Sequence, residues 1–532
     1  MLFLFSHAPT HAAENDAAFS QAVANLASDS FQDKQKAVAT LTETRHPNTP
    51  KVLSAMLEGN LYARTADQRV FLVEASDGQL RLSDPLTLAP AGTGAAEDFA
   101  KITTNNQLRK ALKSAIASFR LSDPDPAVRL AAVNEMLRAV DADGLEIIRA
   151  KVATETDDDV KDAMQVGLAL ADLDSDDAEK RLASLTRLKG SLSPDVYNRL
   201  TTLVTPAEDG SFAEPDERVR MAAREAVGSI DSWRSFYSSL ETLFFGLSLG
   251  SVLVLAAIGL AITFGVMGVI NMAHGELMML GAYTTYVIQL LMPQHIGASV
   301  LIAIPVAFVV AGFVGVLIER GVVRFLYGRP LETLLATFGI SLILQQVVRD
   351  VFSANNRPVE TPQWMAGSMQ INEALSITYN RLYVIAFMLI VFVVLQLVLK
   401  RTTLGLKVRA VAQNRAMARA MGVRTEWVDA LTFGLGSGIA GVAGVALSQL
   451  TNVGPNLGQQ YIIDSFMVVV FGGVGNLWGT LIGGMSLGVV SKILEPYAGA
   501  VLAKIFVLIA LILFIQRRPR GLFPQKGRAA EG

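Results

Sequence analysis

Thr263-Phe-Gly-Val-Met-Gly-Val-Ile-Asn-Met-Ala-His-Gly-Glu-Leu-Met-Met-Leu-Gly-Ala-Tyr283 is an apolar run that Gly265, Gly268 and Gly275 interrupt, with Asn271, His274 and Glu276 held inside it. A helix that crosses hydrocarbon needs about 20 mostly apolar residues. Ionisable groups at such depth are expensive, and irregular backbone is tolerated there only where it faces protein or water. The stretch therefore reads as a broken membrane helix whose polar residues line a path. The same three residues would also serve as a polar clasp between helices.

On either side of this stretch, apolar segments follow one another from Leu240 to the C-terminal region. Nine candidate spans cover residues 241–267, 273–292, 299–318, 331–348, 382–399, 428–450, 462–478, 481–493 and 501–515. Some are short or glycine-broken, which supports about 8–10 crossings. Lys and Arg in short loops mark the cytoplasmic side. From Phe236 onward, 15 of the 20 basic residues fall in three clusters. These are Arg320, Arg324 and Arg329; then Lys400, Arg401, Lys407, Arg409, Arg415, Arg419 and Arg424; then Arg517, Arg518, Arg520, Lys526 and Arg528. If the first helix enters from outside, all three clusters lie on the cytoplasmic side. Residues 517–532 then form a cytoplasmic basic tail, and residues 352–380 an outer loop.

The same assignment leaves the N-terminal part outside the membrane. Composition changes near Trp233: charged residues and alanine dominate before it, apolar residues after it. The expected layout is a signal-like remnant at residues 1–13, a helical domain at 14–235, and a membrane domain at 236–516. Within the helical part a pattern recurs in Ser122-Asp-Pro-Asp-Pro-Ala-Val-Arg-Leu-Ala-Ala-Val133, Thr156-Asp-Asp-Asp-Val-Lys-Asp-Ala163 and Glu214-Pro-Asp-Glu-Arg-Val-Arg-Met-Ala-Ala-Arg-Glu-Ala-Val227. Each copy opens with a capping turn and continues as an amphipathic helix. Stacked units of this kind make an α-solenoid, here HEAT-like. Arg69-Val-Phe-Leu-Val-Glu-Ala-Ser-Asp-Gly-Gln-Leu-Arg-Leu82 alternates β-formers around Asp77-Gly78 and predicts one β-hairpin. The small Gly/Pro-rich residues 89–96 predict a surface loop. The architecture expected from all this is an all-α polytopic membrane protein with broken helices, preceded by an extracytoplasmic solenoid that carries a small hairpin.

Composition narrows function. The chain has 532 residues, a net charge of -2 and no cysteine. That excludes disulfides, thiol catalysis and Cys-ligated metals, and it gives no basic surface for nucleic acid. No metal-ligand spacing and no nucleophile-base pair stands out, which argues against an enzyme. Two further stretches carry polar groups. Ser448-Gln-Leu-Thr-Asn-Val-Gly-Pro-Asn-Leu-Gly-Gln-Gln-Tyr-Ile-Ile-Asp-Ser-Phe466 and Val470-Phe-Gly-Gly-Val-Gly-Asn-Leu-Trp-Gly-Thr-Leu-Ile-Gly-Gly484 contain Asn452, Asp464, Ser465 and Asn476 among apolar and glycine residues. A broken segment in each half is the pattern of repeat-built transporters, although close helix packing also uses glycine, above all from Gly434 to Gly444. Arg401-Thr-Thr-Leu-Gly-Leu-Lys-Val-Arg-Ala-Val-Ala-Gln-Asn-Arg-Ala-Met-Ala-Arg-Ala-Met-Gly-Val423 predicts a short surface helix able to meet lipid headgroups or a soluble partner. No Walker A sequence occurs, so ATP chemistry would belong to another chain.

Asn271-Met-Ala-His-Gly-Glu-Leu-Met-Met-Leu-Gly-Ala-Tyr283, Leu335-Ala-Thr-Phe-Gly-Ile-Ser-Leu-Ile-Leu-Gln345, the Arg401 to Val423 loop and Phe471-Gly-Gly-Val-Gly-Asn-Leu-Trp-Gly-Thr480 resemble the branched-chain amino acid class of ABC transporter permeases. The long N-terminal extension, Ser465-Phe-Met-Val-Val-Val-Phe-Gly-Gly-Val-Gly475 and the ending Arg517-Arg-Pro-Arg-Gly-Leu-Phe-Pro524 are most similar to the urea-transporting members of that class. The resemblance implies a five-component inner-membrane importer: a periplasmic binding protein, two different permeases, and two cytoplasmic ATPases. It implies no cofactor on this chain, with ATP used by the partners. The polar residues of the broken stretches, Asn271, His274, Glu276, Asn452, Asp464, Ser465 and Asn476, are the candidates for the substrate path. The resemblance also implies an ATPase-coupling segment with Arg409, Ala410, Asn414, Ala416, Ala418, Arg419 and Gly422. Urea is the expected cargo, with branched-chain amino acids or amides as the alternative. A passive channel or secondary carrier for a small neutral solute, and a membrane sensor or assembly protein, are the readings from other classes.

Overall fold

In the computed structural model, which describes residues 9–76, 79–138 and 142–523, the chain divides into two compact units, Met1–Asp231 and Ser232–Gly532. The first opens with helices α1 (Pro9–Asn25), α2 (Phe31–Thr44) and α3 (Thr49–Glu58). Strands β1 (Leu61–Arg64), β2 (Val70–Ser76), β3 (Gln79–Ser83), β4 (Pro90–Gly94) and β5 (Phe99–Lys101) follow. Six helices come next: α4 (Asn106–Arg120), α5 (Pro126–Arg138), α6 (Ala142–Lys151), α7 (Asp158–Asp172), α8 (Ala178–Leu188) and α9 (Pro194–Val204). Short polar side chains cap several of them. Asn105 accepts from the Leu108 amide at 2.7 Å and Asp157 from the Val160 amide at 3.1 Å, satisfying donors that a helix start leaves free. Phe19, Leu41, Leu53, Leu61 and Leu108 meet in one buried core.

The fold is not all-α. Where one hairpin is expected, there is a five-stranded antiparallel sheet in the order β4-β3-β2-β1-β5. β2 and β3 do pair, with Ser76 opposite Gln79, while the Asp77-Gly78 turn lies outside the described residues. The loop expected at residues 89–96 is largely strand β4, at the sheet edge. Its residues are mostly exposed, so backbone pairing forms it without any apolar pattern in the sequence. Proline is tolerated at the first residue of such an edge. Of the signal-like segment, residues 1–8 lie outside the described residues, and residues 9–13 belong to α1.

One contact recurs along the helices after the sheet. Arg129 donates to the carbonyls of Asp123 and Pro124, and its guanidinium forks onto Glu155 at 2.8 and 3.0 Å. Arg181 does the same with Ser175, Asp176 and Glu214, both fork distances being 2.9 Å. Arg220 donates to the carbonyls of Glu214 and Pro215. Each arginine closes the turn ahead of its own helix, and two also grip the acidic turn of a later helix. The planar guanidinium suits this two-point recognition.

α10 (Glu217–Met267) starts in the first unit and continues in the second. There follow α11 (His274–Leu291), α12 (Ile296–Gly321), α13 (Pro330–Phe352), the hairpin β6 (Ser368–Asn372) and β7 (Leu375–Thr378), and α14 (Tyr379–Arg401). The chain continues with α15 (Thr403–Gln413), α16 (Arg415–Ala420), α17 (Thr425–Ser448), α18 (Leu457–Gly472) and α19 (Leu477–Arg517). Among the described residues, six helices are long and apolar enough to cross a membrane: α10, α12, α13, α14, α17 and α19. The sequence-based figure is larger for three physical reasons. α19 is bent at Gly499 and joins two expected spans; α18 is only 16 residues long; α11 carries His274, Glu276 and Gln289, which dilute its apolar character.

The helix α13 is turned inside out relative to a soluble helix. Leu331 and Leu335 are 81% and 69% exposed, whereas Thr333, Thr337, Ser341 and Gln345 are buried. A hydrocarbon surround imposes this arrangement, since polar groups must find partners inside the protein. Glycines bring the central helices together. Gly281 of α11 lies against Gly441 of α17, and Gly259 of α10 against Gly436 of α17, with no room for a methyl at either contact.

Candidate functional site

Between Met267 and His274 the helix stops. Gly268 takes φ +68°, a conformation other residues rarely adopt. The chain then doubles back: the His274 imidazole donates from Nε2 to the Ala256 carbonyl at 2.8 Å. α11 therefore begins beside α10 about three turns before α10 ends. Asn271 holds the bend, its Oδ1 accepting from the Ala273 amide at 3.0 Å. α13 supports it from the side, where the Thr337 hydroxyl accepts from the Met272 amide at 3.1 Å.

Glu276 sits in the first turn of α11 and is 1% exposed. Its Oε1 accepts from the Ser341 hydroxyl at 3.0 Å and from the Gln345 amide at 2.8 Å. Three polar atoms of this stretch are buried with no hydrogen-bond partner among the described residues: Asn271 Nδ2, His274 Nδ1 and Glu276 Oε2. Unpartnered buried polar atoms are rare and costly in folded chains. The start of α18 closes the same region, because Gly275 and Gly458, each the second residue of its helix, stand in backbone contact.

The structure thus gathers Asn271, His274 and Glu276, and it adds Thr337, Ser341 and Gln345, which the sequence reading does not single out as site residues. Their four-residue spacing along α13 is the signal that reveals them. The other candidate path residues make separate contacts. Ser465 is buried and donates to the Tyr461 carbonyl of its own helix at 2.7 Å. Asp464 pairs with Lys504 at 2.9 Å. Asn476 caps α19, accepting from the amides of Trp478 and Gly479, and donates to the Phe523 carbonyl at 3.3 Å. Asn452 is exposed.

The loop after α14 folds as two short helices rather than one. Asn414 ends α15 and caps α16, accepting from the Met417 amide at 2.9 Å. Gly422, at φ +85°, closes α16, and the Val423 amide donates back to the Ala418 carbonyl at 3.0 Å. Ala418 turns inward against Val408, Val411 and Val428. Ala416, Arg419 and Gly422 are exposed beside Met417 and Met421, which are 60% and 78% exposed. Arg409 donates to the Leu399 carbonyl and Arg419 to the Thr425 hydroxyl, while Ala410 is half-buried on α15. Arg415 reaches Asp429 of α17 and lies 4.3 Å from the Tyr327 ring centre.

A sequence profile described as branched-chain amino acid transport system / permease component matches residues 242–515, more than half of the chain. The chain belongs to this family of transport permeases. The permease is 32% identical over 304 residues to the high-affinity branched-chain amino acid transport system permease protein LivH of Salmonella typhimurium, covering 54% of this chain and 96% of the relative. It is 30% identical over 296 residues to the permease protein BraD of the same transport class in Pseudomonas aeruginosa, again covering 54% and 96%. A weaker likeness, 24% over 258 residues, links it to the ribose import permease protein RbsC of Haemophilus influenzae, with 46% and 74% covered. No solved structure matches. Membership and the six apolar helices make the permease a multi-pass membrane protein and a transport subunit rather than an enzyme. The polar break and the α15–α16 loop both fall within the matched region, and residues before 242 lie outside it.

Proposed function

We propose that the permease is one of two membrane subunits of an ATP-driven importer, and that it moves a branched-chain amino acid along the break between α10 and α11. The observation that carries this reading is the buried polar set Asn271, His274, Glu276, Ser341 and Gln345 within a chain whose relatives are named as branched-chain amino acid permeases. Stabilising such groups inside an apolar bundle is costly and is typical of solute pathways. The exposed face of α16, with Ala416, Arg419, Met421 and Gly422, is the surface for a cytoplasmic ATPase. Two ATPases, a second homologous permease and a periplasmic binding protein complete the assembly, and ATP is bound by the ATPases alone. The basic clusters set the orientation, with the N-terminal unit periplasmic and the C-terminus cytoplasmic. The N-terminal unit serves as a docking domain for the binding protein or the second permease.

Urea is the second reading. It is favoured by the Ser465 to Gly475 and Arg517 to Pro524 stretches, through which the sequence resembles urea-transporting members, and by the extension ahead of the matched region. Uptake of labelled leucine and labelled urea into vesicles bearing the reconstituted complex separates the two. ATP-dependent uptake of leucine supports the first, and ATP-dependent uptake of urea alone transfers the assignment to the second. Solute flux in the absence of ATP would overturn both.

A further inference from the structure

The start of α11 offers a free acceptor and a free donor at once. Glu276 Oε2 is a carboxylate oxygen with no partner among the described residues, held in place because Ser341 and Gln345 both bind the other oxygen. Gln345 also donates to Ser341 at 3.2 Å, so the three side chains brace one another. Asn271 Nδ2 is a free amide donor just ahead of the same helix, while its Oδ1 is fixed on the Ala273 amide. Both side chains are buried, at 1% and 0% exposure. The helix start adds partial positive charge on the side of Asn271. A ligand that fits must bring an N–H donor to Glu276, bound most strongly when it is positively charged, and an anionic or carbonyl oxygen to Asn271.

We infer that Glu276 and Asn271 form a subsite for the zwitterionic head of an α-amino acid, with the ammonium on Glu276 Oε2 and the carboxylate on Asn271 Nδ2. Ser341 and Gln345 are positioning residues that orient the carboxylate of Glu276. The inference rests on the proposed path along the α10–α11 break and goes beyond it by naming the chemistry recognised there. A neutral solute such as urea can use the same hydrogen bonds but gains nothing from the charge on Glu276.

Equilibrium binding of labelled leucine and labelled urea to the purified, assembled complex without the binding protein tests this. Glu276→Gln keeps the size and the link to Ser341 but removes the charge, and it should weaken leucine binding at least tenfold while changing urea binding less than threefold. Asn271→Ala should weaken leucine binding by a similar factor. Ser341→Ala, a milder change, should weaken it two- to fivefold. Co-elution of every variant with its partner subunits confirms assembly. Leucine binding by Glu276→Gln equal to that of the unaltered complex would overturn the subsite. Loss of ATP-dependent uptake of every solute by the unaltered complex would instead overturn the transport reading, so the two failures are distinct.

Discussion

Arg415, on the short helix α16, forms an ion pair with Asp429, a carboxylate whose side chain is 1% exposed on α17. The same α17 lies against α10, α11 and α12 through its glycines. This charge-assisted contact, together with Arg419 on the Thr425 hydroxyl and Ala418 against Val428, ties α16 to the helices around the polar break.

Arg415→Ala leaves the Asp429 carboxylate buried without its partner, a loss of about 3 kcal/mol, at the low end because Arg415 itself is partly exposed. Thermal unfolding of the purified chain should shift downward accordingly. In the assembled complex the variant should lose most of its solute-stimulated ATP hydrolysis. Retention of full stimulation would show that the contact carries no coupling.

The approach of α11 to α18 leaves no space for a methyl at Gly275 or Gly458. Gly275→Ala should therefore be destabilising by about 2 kcal/mol or more, since the neighbour is backbone and cannot rotate away. Gly339→Ala on α13 meets nothing within 4 Å, and should be neutral or gain about 0.5–1 kcal/mol from helix propensity. Melting temperatures of the two variants in detergent give the comparison.

In the N-terminal unit, the fork from Arg129 holds the Glu155 carboxyl below its ordinary value of 4.5, against the opposing effect of burial. A group with a lowered folded-state pKa adds stability above its ordinary value and loses it as pH falls through the folded value. Hydrogen exchange in α5 and α7 of the full chain should therefore accelerate as the pH drops below 4.5, after correction for intrinsic exchange. Arg129→Ala should be less protected at neutral pH and should show a flatter response in that acidic window.

Much of the membrane architecture was legible because hydrocarbon imposes long apolar runs, and the break was visible as Gly265, Gly268 and Gly275 around three polar residues. The packing glycines from Gly434 to Gly444 were also readable, since small residues in an apolar helix have few other uses. Three things were not. The sheet escaped notice because β4 is made of exposed Pro, Ala, Gly and Thr, whose pairing is a property of the backbone. Ser341 and Gln345 carry no site signal of their own in the sequence, and only the four-residue stripe on α13 set against Glu276 gives them one. Asn476 stood in a glycine-rich stretch like a path residue, yet its side chain is occupied in capping α19.

If the α10–α11 break lines a solute path, its access must change with the ATP cycle. The chain contains no cysteine, so Ser341→Cys places a single thiol in this subunit next to Glu276. Labelling of that thiol by a membrane-impermeant reagent, applied from outside to the reconstituted complex, measures access directly. Labelling should rise at least fivefold when the ATPases are held closed with ATP and fall when excess solute is added. A thiol that stays unlabelled from both sides of the membrane in every nucleotide state, in a complex that still transports, would contradict it.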